Sequence, residues 1–251
     1  MSEQFERSFT IEGYRALLKA CKARGYRFCR FSDVRPERAD IIMRHDVDLC
    51  PDKALCIARI EGDLNVRSTY FFLVSSEFYN IFAPDSLRCL HAISSLGHEI
   101  GLHFDAAPYD HGPSAMDAFA EAECQALAAA TGRPVEIISF HRPVPYLRGM
   151  PDNLGGRSHT YQPKYFNDIE YCSDSAGEWS HGHPFDRQAF MNGKALQLVT
   201  HPIWWADEIG LDPKERIRRF FAQRLSRVKL ELRSNLTKGP FVGNWIEQID
   251  I

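Results

Sequence analysis

Apolar and polar positions along the chain follow two different periods. Short runs rich in β-branched and aromatic residues, such as V-R-S-T-Y-F-F-L-V, are typical of buried strands. Between them lie longer segments whose apolar residues recur at helical spacing, often with a capping residue, a proline or a glycine at an end. The pattern predicts strands over residues 26–31, 40–45, 66–74, 98–104, 135–141, 169–175 and 196–201, and helices over 10–25, 50–64, 84–97, 113–132 and 212–235.

The order of these elements predicts the fold class. Strands and helices alternate over most of the chain, which indicates a mostly parallel α/β sheet covered by helices. About seven such strands can stay an open sheet or close into a barrel, and both arrangements place their chemistry at the carboxyl ends of the strands. Residues 150–162, rich in glycine, proline and polar residues, are predicted to form a loop.

Composition and charge narrow the class of protein. The 251 residues are 44% apolar and 25% charged, which is enough apolar material for a proper core. A net charge of -3 gives no general reason to expect nucleic acid or an anionic membrane as partner. No apolar run reaches the roughly 18 residues of a membrane span, and the polar N-terminus lacks the apolar region of a secretory signal, so we expect a cytoplasmic protein. The seven cysteines lack C-x-x-C spacing and are expected to be free buried thiols.

Acidic residues cluster at the end of the predicted strand 40–45. The sequence R-H-D-V-D follows three apolar residues and contains Asp46 and Asp48. On an extended backbone, residues two apart point to the same side. Because two adjacent carboxylates repel unless a cation intervenes, the pair indicates a metal ligand beside a general base. The alternative is a helix cap followed by a surface acid.

Three further strand ends carry histidine. His103 ends G-H-E-I-G-L-H and is a candidate metal ligand, whereas His98 would face the opposite side and is assigned to structure. His141 and Arg142 follow another apolar strand, where an arginine can hold a carboxylate by two hydrogen bonds. His201 ends L-Q-L-V-T-H and precedes two tryptophans, a residue type suited to stacking on a sugar but at least as often buried.

In this order the motifs resemble the polysaccharide deacetylase (NodB-homology) superfamily, over residues from about 41 to 205. The variants R-H-D-V-D, S-F-H-R-P and H-P-I-W-W are similar to deacetylase-like proteins encoded with O-antigen and other surface-polysaccharide genes. The resemblance implies a single catalytic domain over 1–251 with a distorted barrel of about seven parallel strands. It also implies removal of an acetyl group from a small-molecule, lipid-linked or nucleotide-linked sugar, with a divalent metal for which zinc is the first candidate.

The resemblance further implies roles for individual residues. Asp46 would be the general base and Arg142 the arginine that orients it. His201 would be the general acid and Asp174 the acid that tunes it. The residues expected to contact the substrate are Tyr146, Trp179, Trp204 and Trp205.

The superfamily's metal ligands are only partly matched. Asp48 and His103 resemble two of them, but Ala107 stands where a second histidine belongs. Catalytic sites usually use three protein ligands plus water. We therefore expect His141 to be the third ligand, because strand ends place ligands more reliably than loops. The alternatives from the following loop are His111 and Asp105.

Two other functions remain open at this point. Without a third ligand the metal site would be incomplete, and the chain would be a non-catalytic sugar-binding relative of the deacetylases. The fold alone would also allow hydrolysis of another amide, because folds do not determine substrates.

Overall fold

Eight parallel strands form one curved sheet in the computed structural model, which describes residues 8–109, 113–207, 209–237 and 245–248. The strands are β1 (Arg27–Cys29), β2 (Asp40–Val47), β3 (Thr69–Phe72), β4 (Glu99–Phe104), β5 (Ile137–Phe140), β6 (Ser158–His159), β7 (Glu170–Ser173) and β8 (Leu196–Thr200). The α-helices are α1 (Ile11–Ala23), α2 (Pro51–Asp63), α3 (Pro84–Ser95), α4 (Pro113–Thr131), α5 (Pro163–Phe166), α6 (Gln188–Met191) and α7 (Pro213–Asn235).

The predicted elements are all present. The seven predicted strands correspond to β1–β5, β7 and β8, and the five predicted helices to α1–α4 and α7. The one strand that the sequence does not predict, β6, lies within residues 150–162, where a loop is expected. Only two residues of β6 pair with β5, too few to leave a strand pattern in the sequence.

Strand β2 lies near the centre of the sheet, whose order is β6-β5-β4-β3-β2-β8-β7. β8 pairs with one edge of β2, and β1 and β3 share the other edge, against residues 40–42 and 44–47 respectively. In the described part of the chain no ladder joins β6 to β7, so the barrel is distorted and open. Because all strands are parallel, their carboxyl ends meet at one end of the sheet, as predicted.

The chain divides into two compact units, Met1–Gly210 and Leu211–Ile251. The first holds the sheet, and helices α2–α4 pack on it through a large buried apolar cluster. In the second, Asp212 Oδ1 caps α7 by accepting a hydrogen bond from Glu215 N at 3.1 Å. Every residue of the candidate site lies in the first unit, and the single domain expected over 1–251 stays a prediction.

The state of the cysteines also agrees with the expectation from the sequence. None of the seven cysteines forms a disulfide, and all but Cys56 are buried. Of the helices in the described ranges, none has both the length and the apolar character that crossing a membrane requires.

A fully buried carboxylate joins helices α1 and α2 to the sheet. Glu61 of α2 accepts hydrogen bonds from the hydroxyls of Tyr14, Ser68 and Tyr70 at 2.6–2.7 Å. His45 Nε2 of β2 lies 2.9 Å from the same carboxylate. Burial would raise the pKa of Glu61, but His45, His98 and the Ser68 hydroxyl lower it to about 2. The outer face of β2 is thereby fixed to two helices through one ionised group.

We expect Glu61→Ala to lower the free energy of unfolding by about 3–5 kcal/mol, because it leaves several buried polar groups without their common partner. Urea unfolding followed by circular dichroism measures the change. The exposed Glu37→Ala is the matched control and should stay within about 0.5 kcal/mol of wild type. A similar small change in both variants would contradict the prediction.

Candidate active site

A cavity of about 340 Å³ opens at the carboxyl ends of β2, β4, β5 and β8. Asp46 lies near the end of β2 and His103 near the end of β4, while His141 and His201 directly follow β5 and β8. Parallel strand ends therefore bring together side chains that are far apart in sequence. The other polar residues lining the cavity are Arg44, Asp48, Tyr161, Tyr171 and Ser175.

Arg44 holds Asp46 through two parallel hydrogen bonds. Arg44 Nε donates to Asp46 Oδ1 and Nη2 donates to Oδ2, both at 2.7 Å. Both residues are buried, and residues two apart on a strand share a face, so the pair forms within β2 itself. Burial alone would raise the pKa of Asp46, but the charge of Arg44 outweighs it and keeps the pKa below its ordinary value. Asp46 is therefore an ionised carboxylate held in one orientation.

Arg142 does not take the role expected for it. Its Nε and Nη2 donate to the carboxylate of Asp105, and its side chain is 60% exposed. The arginine that orients Asp46 is Arg44. The same two-residue spacing that groups Asp46 with Asp48 also groups Arg44 with Asp46, so the sequence did contain this signal.

Asp48, His103 and His141 bring three potential ligand atoms within 4.8 Å of one another. Asp48 Oδ1 lies 3.1 Å from His103 Nε2 and 3.2 Å from His141 Nδ1. The other ring nitrogen of His103 lies 2.7 Å from Ser139 Oγ, which fixes the ring with Nε2 toward the cavity. The structure thus groups the three residues that the sequence analysis expects as ligands, and their role as ligands stays a prediction.

The three side chains fit a divalent metal ion. Asp48 Oδ1 is buried, yet it makes no well-aligned hydrogen bond, although two imidazole nitrogens lie close to it. Three potential ligand atoms thus lie close together without well-aligned hydrogen bonds between them. One carboxylate oxygen and two imidazole nitrogens suit zinc, iron, cobalt or nickel, and three protein ligands leave a position open for substrate or water.

The contacts keep Asp48 in the charge state that ligation requires, whereas they favour the protonated form of His141, whose proton a bound metal would have to displace. Burial would raise the pKa of Asp48, but its contacts with His103 and His141 lower it well below the ordinary value. The contact with Asp48 in turn raises the pKa of His141. Asp48 therefore stays ionised at neutral pH.

Of the alternatives for the third ligand, Asp105 lies within the described residues and is not part of this group. Asp105 is paired with Arg142. Ala107 offers no ligand atom and begins a short 3₁₀ turn, Ala107–Tyr109. His111 lies outside the described residues.

His201, which lines the same cavity, forms a close pair with Asp174. His201 Nδ1 lies 2.6 Å from Asp174 Oδ1, and Asp174 is fully buried. Burial would lower the pKa of His201, but the Asp174 carboxylate raises it to about 9. His201 Nε2 lies 3.8 Å from Asp48 Oδ2. His201 is thus a protonated imidazole at neutral pH, with its second nitrogen beside the proposed ligands.

Aromatic side chains form part of the cavity wall. Trp204 lines it as expected, together with Phe140, Tyr161 and Tyr171. The sequence analysis missed the two tyrosines. Tyr171 lies on the strand β7, three residues from the predicted Asp174, so alternation along the strand gave no signal for it. Tyr161 lies in the predicted loop, where no periodicity indicates direction.

Three residues expected at the substrate lie elsewhere. Trp205 is fully buried and does not line the cavity. Trp179 packs against Trp205, with ring centroids 5.9 Å apart, and is also absent from the lining. Tyr146 lines a separate groove, where its hydroxyl contacts Met116 Sδ at 3.4 Å.

Comparisons with known proteins give distant structural similarity. No protein-family model and no curated protein matches the chain. A CE4 family pseudoenzyme from Bacillus anthracis matches with 12% identity over 77% of this chain and 63% of its own, at a TM-score of 0.42. A polysaccharide deacetylase from Bacillus cereus matches with 15% identity over 84% of this chain and 60% of its own, also at 0.42. A family 4 acetyl xylan esterase from Clostridium thermocellum, in complex with cobalt, matches with 13% identity over 74% and 84%, at 0.40.

The chain thus spans less than two thirds of the length of the first two of these proteins. Because these identities and TM-scores are low, the roles proposed for individual residues rest on the geometry of this chain.

The raised pKa of His201 predicts a pH-dependent stability difference between wild type and Asp174→Asn in chelator-treated protein. A histidine whose folded pKa of about 9 lies above its unfolded value stabilises the fold fully below about pH 6.5 and loses this contribution as pH rises through 9. The difference in unfolding free energy should therefore shrink between roughly pH 6 and pH 9.5, by at most about 3 kcal/mol, because Asp48 and Asp46 contribute to the same shift and remain in the variant.

Urea unfolding at a series of pH values measures this difference. The exposed Asp168→Asn is the matched control and should show no such trend. A wild-type advantage over Asp174→Asn that stays constant with pH would contradict the coupling between Asp174 and His201.

Proposed function

We propose that the chain is a metal-dependent hydrolase that removes the acetyl group from an N-acetylated sugar. The observation that carries the proposal is the arrangement around one cavity of an oriented ionised base, a group of three converging ligand atoms and a protonated histidine. Metal-assisted hydrolysis of an acetamide uses these three functions together.

Asp48, His103 and His141 would hold the divalent ion, for which zinc is the first candidate. When bound, the ion would supply Lewis acidity, which polarises an acyl carbonyl and makes water more acidic. The protein's part is to fix three ligand atoms on three separate strand ends and to leave one side of the group open to the cavity.

Asp46 would act as the general base. Its carboxylate is ionised and its two oxygens are held by Arg44, so it can accept the proton of an attacking water without first rotating. Its Oδ2 lies 3.7 Å from His103 Nε2, which places the base next to the proposed ligands. Arg44 would therefore serve catalysis by orienting the base.

His201 would act as the general acid. Asp174 holds Nδ1, so Nε2 is the nitrogen that presents a proton to the cavity. As the water oxygen bonds to the acetyl carbon and the carbon–nitrogen bond breaks, this proton would pass to the departing amine. The products would be acetate and the free amino sugar.

The cavity wall supports a sugar as substrate. Trp204, Tyr161 and Tyr171 combine apolar ring faces with polar edges, which suits stacking on a sugar ring with hydrogen bonds at its rim. We propose that the amino sugar belongs to an O-antigen or another surface polysaccharide and is presented as a lipid-linked or nucleotide-linked precursor in the cytoplasm. The resemblance of R-H-D-V-D, S-F-H-R-P and H-P-I-W-W to that class supports this part of the proposal.

Zinc binding tests the ligand group directly. Isothermal titration of chelator-treated protein should show one zinc per chain, and His141→Ala should weaken binding by about 100-fold or more because a third ligand is lost. His91→Ala is the matched control, since His91 is an exposed residue of α3 whose ring contacts the Ala130 carbonyl. Its affinity should equal that of wild type.

Absence of metal binding would contradict the proposal. If wild type bound neither zinc nor cobalt nor manganese, the metal-dependent mechanism would be wrong. Retained binding of sugars in such a protein would support the non-catalytic alternative.

Substitution of the base and the acid tests the mechanism. Asp46→Asn and His201→Gln should each lower kcat by about 10²–10⁴-fold, the usual contribution of a positioned acid or base. Arg44→Ala should lower kcat far more than Arg142→Ala, because Arg44 holds the base and Arg142 holds Asp105. Acetate release from a panel of nucleotide-linked N-acetyl sugars measures turnover. Unchanged turnover in Asp46→Asn and His201→Gln would refute the assignment.

A further inference from the structure

Trp205, the last residue of H-P-I-W-W, contacts Asp174, the carboxylate paired with His201, and does not line the cavity. The indole is fully buried, and its Nε1 donates to Asp174 Oδ2 at 2.6 Å. Hydrogen bonds to a buried carboxylate are short and strong because the acceptor carries a full charge. The two adjacent tryptophans therefore have different surroundings, since Trp204 lines the cavity and Trp205 does not.

The donors around Asp174 divide between its two oxygens. Oδ1 faces His201 Nδ1 at 2.6 Å, and Oδ2 accepts from Trp205 at the same distance. The backbone N–H of His201 lies between them, 3.0 and 3.1 Å from the two oxygens. Without the indole, Oδ2 would keep only the shared backbone donor, and a buried carboxylate with an unsatisfied oxygen rotates or recruits another donor. The indole therefore determines which way Asp174 faces.

Rigid neighbours hold the indole itself in place. The edge of Tyr14 packs against it with ring centroids 5.4 Å apart, and Trp179 lies at 5.9 Å. Tyr14 is in turn held by its hydrogen bond to the buried Glu61. In a close-packed cluster of this kind a large ring has no alternative position.

We propose that Trp205 is a positioning residue that acts through Asp174 to keep the His201 imidazole oriented with Nε2 toward the cavity. The inference rests on the proposed function, in which His201 delivers a proton to the leaving group. Since Trp205 does not touch the cavity, its loss affects the reaction step and leaves substrate binding nearly unchanged.

A double-mutant cycle tests this coupling. Trp205→Phe keeps an aromatic ring and removes the N–H, and it should lower kcat by about 10-fold with KM within about twofold of wild type. In the Asp174→Asn background the same substitution should have no further effect on kcat, because the group through which it acts is already altered. Effects that multiply across the two positions would overturn the proposal.

A spectroscopic measurement separates positioning from general destabilisation. The His201 Nδ1–H in a 2.6 Å bond to a carboxylate should give a far-downfield proton NMR signal, assigned by its absence in His201→Gln. Trp205→Phe should shift this signal upfield or broaden it. An unmoved signal would overturn the proposal, whatever the kinetics.

A second variant covers the case in which Trp205→Phe fails to fold. Benzothienylalanine placed at position 205 keeps the shape of the indole and replaces N–H with sulfur, so packing is retained and only the donor is lost. The NMR readout also distinguishes the two proposals: if wild type releases no acetate but the signal responds to position 205, the positioning is supported and the proposed function is not.

Discussion

The Arg44–Asp46 pair is the interaction on which the candidate site depends. Both charges are buried inside β2, and removing two ions from water costs several kcal/mol per ion unless good geometry compensates. Two parallel hydrogen bonds of 2.7 Å provide that geometry. On the opposite face of the same strand, His45 contacts the buried Glu61. One face of β2 is therefore tied to a helix through Glu61, and the other face presents an oriented carboxylate to the cavity.

The sequence predicted the framework because local periodicity specifies it. The strands and helices followed from periods of two and of three to four residues, and the meeting of Asp48, His103 and His141 followed from the rule that parallel strands end together. The arginine was misassigned because the resemblance pointed to Arg142, whereas alternation within β2 pointed to Arg44. The position of Tyr161 depends on the path of a loop, and the burial of Trp205 depends on packing between distant segments. Neither property is encoded by local pattern.

Ala107 stands where the superfamily that the sequence resembles has a histidine in a loop. The proposed third ligand of this chain, His141, follows a strand instead. Asp48, His103 and His141 lie at the ends of three strands, β2, β4 and β5, and one of them is further fixed by Ser139. A group supported by a sheet is more rigid than one that relies on the segment after β4. Arg142 and Asp105 pair beside it and link the ends of β4 and β5. All three proposed ligands thus lie at strand ends of the sheet.

The pairing of β2 with β8 has a consequence for how the site forms. His45 Nδ1 lies 2.7 Å from Thr200 Oγ1, a contact between residues 155 positions apart in the chain. Such long-range pairings form late, because a long loop must close before they contribute. During synthesis the strand carrying Asp46 has no β8 neighbour until nearly all of the first unit has been made. The proposed base therefore gains the histidine that follows β8 only when β8 is in place, so the candidate site is complete only in the folded first unit.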